Sequence, residues 1–316
     1  MSEMVAEDTA LVDVMEAGRP GRTGAYVIVA DGLTIVDPGS SRGLGYLEDG
    51  IRALGFGWSD IRRIVVTHVH LDHAGGVGTL AERAPDAAVF CHPRAARHLA
   101  NPSRLWAGAR DVYGDRMERL WGDVVPVPAW RIHAEEDGAR LVAGTHSLRF
   151  FDSPGHARHH ATILDERSGA LFSGDAVGVR YTPSYTGWPG PYVIPTTTPS
   201  EFDPAVSLAT LDRLEALRPA AILHTHFGAS APDEAFARTR EGLIGYREAA
   251  LRFGPQLHDA VGMRRVLWDW HAEDLARRFP GGDADVEVLA DDLELNALGL
   301  WGWWERWTRD KGGHAT

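Results

Sequence analysis

Short apolar runs rich in β-branched residues recur along the chain and predict its strands. Residues 25–30 (Ala-Tyr-Val-Ile-Val-Ala) and 33–37 (Leu-Thr-Ile-Val-Asp) flank Asp31-Gly32, and Asp-Gly between two such runs is a hairpin signal because the turn needs positive φ. Further strands are expected over 61–67, 87–91, 147–152, 161–165, 170–173 and 219–223. Residues 45–54, 77–83 and 95–121 have helical spacing instead. Strands alternating with helices indicate a layered α/β domain. Residues 177–202 show no period and hold Tyr181, Tyr185, Trp188 and Tyr192 among five prolines. A loop of that length is uncommon; it serves as a lid or binding loop, or packs down on its aromatic anchors.

From Asp233 onward the pattern is helical, interrupted at Gly254-Pro255 and Pro280-Gly281-Gly282. The last helix, over 291–309, carries Leu300, Trp303, Trp304 and Trp307 at i, i+3, i+4 and i+7, with Trp301 beside them. Such a stripe is more often buried contact surface than a cofactor box. It is expected to pack against the main domain or against a second copy of the chain, as a homodimer contact.

Composition narrows the functional classes. A chain of 316 residues with 44% hydrophobic and 24% charged content accommodates one large α/β domain or two modest ones. Its formal net charge of −12 argues against a nucleic-acid binder, which needs a basic surface. Lys311 is the sole lysine and sits in a polar tail, so Schiff-base chemistry is not expected. Cys91 is the sole cysteine, which excludes an intrachain disulfide and a Cys-based zinc knuckle. The first residues are acidic and lack the apolar core of a signal segment. No apolar run reaches the ~18 residues that a membrane span needs. The expectation is a soluble cytoplasmic protein with a small-molecule substrate and neither a nucleic-acid nor a membrane partner.

Candidate chemistry concentrates in Thr67-His68-Val69-His70-Leu71-Asp72-His73-Ala74-Gly75-Gly76, directly after Ile64-Val65-Val66. Three imidazoles and a carboxylate within six residues, at the end of a buried strand, are the ligand types that divalent metals accept. His156, Asp175, His224 and His226 also stand where apolar strands end, so one sheet edge could gather them all. Asp37 stands likewise before Pro38-Gly39, where a turn-forming role alone would account for it. With no thiolate among them, these donors favour zinc, iron or manganese over copper(I) or an iron–sulfur cluster.

The motif His68-x-His70-x-Asp72-His73, followed in order by His156, Asp175 and His226, resembles the metallo-β-lactamase fold superfamily of metallohydrolases across roughly residues 20–230. The resemblance implies a four-layer αβ/βα sandwich over 1–230, followed by a helical C-terminal extension over 231–316. It implies that His68, His70 and His156 hold one metal, that Asp72, His73 and His226 hold a second, and that Asp175 bridges them. Asp37 resembles the family's first motif and, with His160, would orient ligands without binding metal. His159 would face solvent, and His92 and His98 are left as structural. His224 competes with His226 for the last ligand position; His226 is preferred because it precedes Phe227-Gly228.

A bridging carboxylate would keep two ions, most plainly zinc, about 3.5–4 Å apart, and coordination lowers the pKa of bound water towards about 7. A metal-bridging hydroxide would then attack an electrophilic carbonyl or phosphorus. Asp72 is the candidate proton carrier, and Tyr181, Tyr185, Trp188 and Tyr192 are candidate substrate contacts. The motif is similar to those of lactonases and glyoxalase II relatives, so the expected activity is hydrolysis of an ester, lactone or thioester. No glutathione-binding pattern is evident, and no export segment supports a β-lactamase proper. A phosphodiesterase or nuclease of the same superfamily is disfavoured by the acidic balance. A diiron oxidoreductase would carry Glu at position 70 and a flavodoxin domain. Metal-dependent assembly without catalysis is the remaining alternative.

Overall fold

In the computed structural model, which describes residues 2–281 and 284–312 with side chains to residue 310, all eight strands anticipated from the apolar runs are present. The Lys311 side chain and Gly282 of the Pro-Gly-Gly break lie outside the described residues. The chain divides into two compact units. One holds the chain up to Ser153, with His159–Gly174 and Arg218–Pro232; the other holds Pro154–Arg158, Asp175–Leu217 and the chain from Asp233.

The first unit contains two sheets. Strands β1 (Ser2–Ala6), β2 (Thr9–Asp13), β3 (Gly24–Ala30), β4 (Gly32–Val36), β5 (Ile61–Val65), β6 (Ala88–Cys91) and β7 (Ile132–Ala134) lie in sequence order in a seven-stranded sheet. It is antiparallel from β1 to β4 and parallel from β4 to β7. The chain continues through β8 (Arg140–Ala143), β9 (His146–Asp152), β10 (Ala161–Asp165), β11 (Ala170–Gly174), β12 (Val179–Tyr181), β13 (Tyr192–Ile194), β14 (Ala221–His224) and β15 (Gly228–Ser230). The second sheet runs β15-β14-β11-β10-β9-β8, with β11 and β14 parallel.

Successive side chains of a strand point to opposite faces, and this decides what each sheet meets. Tyr26 and Ile28 of β3 join Val36, Val65, Phe150, Ile163, Phe172 and Leu223 in a buried cluster between the two sheets. Ala25 and Val27 face the other way and join Leu44, Leu47 and Ile51 of helix Leu44–Ala53, and Val77 and Leu80 of helix Val77–Arg83. The result is a mixed α/β sandwich: two sheets face to face, with helices on the outer side of the first. Cys91 at the end of β6 is buried, and that burial pushes its thiol up to about 12.

Strands the apolar pattern does not reveal are short, as β7 and β13 are, or partly polar, as β1 is. β1 is half polar and takes an edge position. The helical stretch expected over 95–121 is three helices, Pro93–Ala100, Ser103–Tyr113 and Met117–Trp121, broken at Pro102 and Gly114. Proline cannot continue a helix, and Gly114 adopts positive φ there.

The second unit corrects the expectation of an irregular 177–202 segment. β12 and β13 pair antiparallel, Val179 opposite Ile194 and Tyr181 opposite Tyr192, with a short helix Pro183–Thr186 between them. The long helices Pro232–Phe253, Ala260–Arg278 and Ala290–Gly312 follow. In the last of these Leu300 and Trp303 are buried, while Trp301, Trp304 and Trp307 are half-buried. Gly254 lets the Trp304 indole approach; a Cβ there would lie 2.4 Å from its Nε1. No described helix is long and apolar enough to cross a membrane.

A buried chain of hydrogen bonds ties these elements together. Tyr192 donates to Asp274 Oδ2 (2.8 Å) and therefore accepts from His271 Nδ1 (2.9 Å). His271 Nε2 in turn accepts from the Tyr246 hydroxyl (2.7 Å), whose oxygen accepts from Asn296 Nδ2 (3.2 Å). Each proton is used once, and His271 must be neutral for the chain to close. Burial drives its pKa from 6.5 down to about 3, despite the opposing Asp274 carboxylate. Between those values the unfolded chain binds the proton and the folded chain does not. The stability contributed by burying neutral His271 is therefore complete above about pH 6.5 and is lost as the pH falls towards 3. His271→Gln is expected to lower the melting temperature at neutral pH but to flatten its decline with acidification. Thermal unfolding across that range checks this, and parallel declines for the two proteins would refute it.

Candidate metal centre

The His-rich loop of the first unit is tied down before it reaches its histidines. Past the end of β5, Thr67 O accepts from the amide of Ala161 at the start of β10 (2.8 Å). His70 then leads into the short helix Leu71–Ala74, and Gly39 N donates to His73 O (3.1 Å) while Gly76 N donates to Gly39 O (2.8 Å). The turn after β4 is thereby fastened to the ligand loop on both sides.

At the junction sits Asp37, fully buried and at φ 49°, a left-handed conformation uncommon for a residue with a Cβ. Its Oδ1 accepts from Thr67 N (2.8 Å). Its Oδ2 accepts from Thr67 Oγ1 (2.7 Å), Thr225 Oγ1 (2.8 Å) and His73 Nδ1 (2.8 Å). All four donors come from segments that carry imidazoles.

These partners fix tautomers. With Nδ1–H given to Asp37, His73 keeps a lone pair at Nε2. His226 Nδ1 lies 2.8 Å from the carbonyl of Arg22, which can only accept, and 3.0 Å from Thr23 Oγ1, whose own proton goes to Glu16. His226 therefore also presents its Nε2 lone pair. The two Nε2 atoms lie 3.1 Å apart, with Asp72 Oδ2 3.1 Å from one and 3.6 Å from the other. Two imidazole lone pairs and a carboxylate oxygen converge within 4.8 Å. Electron-rich atoms so placed repel one another without a cation or proton among them, and the set fits a divalent ion. His68 follows the same logic. Thr67 gives its proton to Asp37 and accepts from His68 Nδ1 (3.1 Å), which directs His68 Nε2 to His70 Nδ1 at 2.8 Å. In the second unit, His156 Nε2 and Asp175 Oδ2 lie 3.3 Å apart.

His160 is buried with its ring 4.8 Å from that of His68. Gly174, at φ +48°, makes room for it; a Cβ there would lie 2.6 Å from both His160 Nε2 and Thr67 Oγ1. His159, expected to face solvent, is half-buried with its ring 5.5 Å from that of His70 and 6.0 Å from that of His98. His224 ends β14 and bonds Ser230 Oγ (2.8 Å), whereas His226, beyond the strand, reaches Asp72 and His73. His92 faces a carboxylate from a distant strand, Asp152 Oδ1 at 3.0 Å; burial lowers its pKa against that charge. Tyr181, Trp188 and Tyr192 are buried and Tyr185 half-buried. The Tyr192 hydroxyl is held by His271 and Asp274, and that of Tyr181 by Asp292. Sequence reasoning passes over Thr67, Thr225 and the Arg22-Thr23 pair. Thr67 and Thr225 stand directly before the clustered histidines His68 and His226, and that adjacency was the available signal.

Comparison with known proteins gives concordant findings. Residues 18–226 match the sequence model of the metallo-beta-lactamase superfamily. The chain is 27% identical over 212 residues to the metallo-beta-lactamase fold-containing protein ST1585 of Sulfurisphaera tokodaii, covering 66% of this chain and 73% of the relative. The crystal structure of ST1585 shares the fold, with a TM-score of 0.64 at 23% identity over 93% of this chain and 98% of that one. A hydroxyacylglutathione hydrolase of Cupriavidus taiwanensis is 33% identical over 187 residues, 58% of this chain and 54% of the relative. N-acyl homoserine lactonase AttM of Rhizobium johnstonii is 32% identical over 117 residues, 37% of this chain and 40% of the relative. The chain thus spans about half or less of the length of these two.

Asp37→Asn replaces an acceptor-only group with one that must turn a donor towards His73 or a threonine. Metal retention against a chelator is expected to weaken about 10–100-fold, as for other groups that orient ligands. Wild-type retention would show that the four bonds to Asp37 do not govern the ligands.

Proposed function

The chain belongs to the metallo-beta-lactamase superfamily, and from that membership we propose that it is a two-metal hydrolase acting on the ester, lactone or thioester bond of a small molecule. His68, His70 and His156 would hold one ion, Asp72, His73 and His226 the other, and Asp175 would bridge them. The order of these residues along the chain supports the assignment. The observation that carries it is the convergence of Asp72, His73 and His226, whose tautomers leave only acceptor atoms facing one another. Donors of nitrogen and oxygen alone suit zinc, iron or manganese, and zinc is the proposed ion.

Bound there, divalent ions supply Lewis acidity and an ionised water near neutral pH. The protein's own contribution is orientation and proton handling. His73 and Asp37 are closed to solvent, whereas the Asp72 side chain is 23% exposed. Of the two carboxylates in the first unit's cluster, Asp72 is therefore the one placed to exchange a proton with a reacting molecule. The printed names of the hydroxyacylglutathione hydrolase and the lactonase support thioester and lactone substrates. The net charge of −12 weighs against a polyanionic substrate.

A metal-replete sample screened against aryl esters, lactones, acyl thioesters and an aryl phosphodiester tests the reading. Chelator-sensitive turnover of one of the first three classes is expected, with Asp72→Asn lowering kcat by about 100-fold or more. Turnover confined to the phosphodiester, or a purified chain that takes up no divalent ion, would overturn it.

A further inference from the structure

Three consecutive threonines, Thr196-Thr197-Thr198, follow β13 in the second unit, and neighbouring members face opposite sides as side chains of an extended segment do. Thr196 and Thr198 face His156. The Thr198 hydroxyl donates to the His156 carbonyl (2.6 Å). The Thr196 hydroxyl donates to Asp175 Oδ2 (3.3 Å), and with its one proton so used it accepts from His156 Nδ1 at 2.8 Å. That leaves the His156 lone pair at Nε2, the atom 3.3 Å from the same Asp175 oxygen. The Thr196 carbonyl, 3.4 Å from the same Nδ1, can only accept and favours the same tautomer; Thr196 thus holds the imidazole through its hydroxyl and its carbonyl, and the hydroxyl orients the carboxylate as well.

Thr197 faces the other way, onto helix Ala290–Gly312. Its hydroxyl donates to the Asn296 carbonyl (2.9 Å). The Asn296 side chain, 2% exposed, then clamps the backbone on both sides of Thr196: Oδ1 accepts from Thr197 N (2.8 Å) and Nδ2 donates to Pro195 O (3.0 Å). The helix is shaped for this approach. A Cβ at Gly299 would lie 2.2 Å from Thr197 Oγ1, and one at Gly302 would lie 2.4 Å from Pro199 O. Behind Asn296 stands the Tyr246–His271–Tyr192 chain.

We infer that Thr196 is a positioning residue that presets His156 and Asp175 for metal, and that Asn296 of the C-terminal helix is the clamp that sets Thr196. This rests on the two-metal reading and adds to it two residues outside the ligand motifs, with a role for the C-terminal helix in the metal site.

Zinc titration of the full chain against a chelating indicator, paired with the absorption spectrum of the cobalt-substituted protein, tests it. Wild type is expected to take up two equivalents. Thr196→Val keeps the branched shape and removes the hydroxyl; it is expected to bind one equivalent about 10–100-fold more weakly and to shift the cobalt bands. Thr196→Ser, which restores the hydroxyl, is expected to match wild type in both readouts. A folded Thr196→Val protein with wild-type affinity and spectrum overturns the inference. Should Thr196→Val fail to fold, Asn296→Ser carries the test: weakened binding of one equivalent supports the clamp, and unchanged binding overturns it. A wild-type chain that takes up no zinc defeats the two-metal reading first and the inference with it, so the two failures are told apart.

Discussion

One buried carboxylate governs the chemistry available in the first unit. Removing an ionised group from water costs several kcal/mol unless its lone pairs are met, and Asp37 meets that cost with four donors. Because all four belong to residues 67, 73 and 225, the anion fastens the end of β4 to the loops after β5 and β14. Its effect also travels through protons. By accepting from Thr67 it makes that hydroxyl an acceptor for His68, and by accepting from His73 directly it sets a second imidazole. One charge at one strand end thereby decides which ring nitrogen of two histidines faces outward. The left-handed backbone at Asp37 is tolerated within this surplus of bonds.

The same economy of protons recurs in the second unit, with a hydroxyl standing between carboxylate and imidazole. A hydroxyl has one hydrogen to give, so a carboxylate on one side obliges it to accept from an imidazole on the other. Thr196 stands in that position between Asp175 and His156, and Tyr192 between Asp274 and His271. In both cases the histidine is held as the Nδ1–H tautomer. For His156 this leaves Nε2 as an acceptor, while for His271 the Nε2 is satisfied by Tyr246 inside the protein. Whether the second nitrogen faces another buried hydroxyl or a carboxylate separates an imidazole that builds the fold from one suited to a metal.

What the sequence disclosed and what it hid follow from these relations. Strands with long apolar runs were legible because both of their faces are buried. β1, β7, β12 and β13 were not, because their identity lies in a pairing partner; Tyr181 opposite Tyr192 across a proline-rich segment is invisible to any local period. The histidine cluster could be read from spacing, since residue types that a divalent metal accepts stand there at high density. For Thr67 and Thr225 the sequence offered only adjacency to those histidines, because a hydroxyl acquires its role from the groups on either side of it. That His224 bonds Ser230 while His226 reaches Asp72 depends on where β14 stops, and the ring contact of His159 with His70 depends on tertiary packing that no local pattern encodes.

Cys91 gives the site a further property. The candidate ligand set contains no sulfur, and the one thiol of the chain is buried in β6 and pushed up to about 12, where almost none of it ionises at neutral pH. Burial and the raised pKa both disfavour thiol–disulfide exchange and electrophilic capping at Cys91.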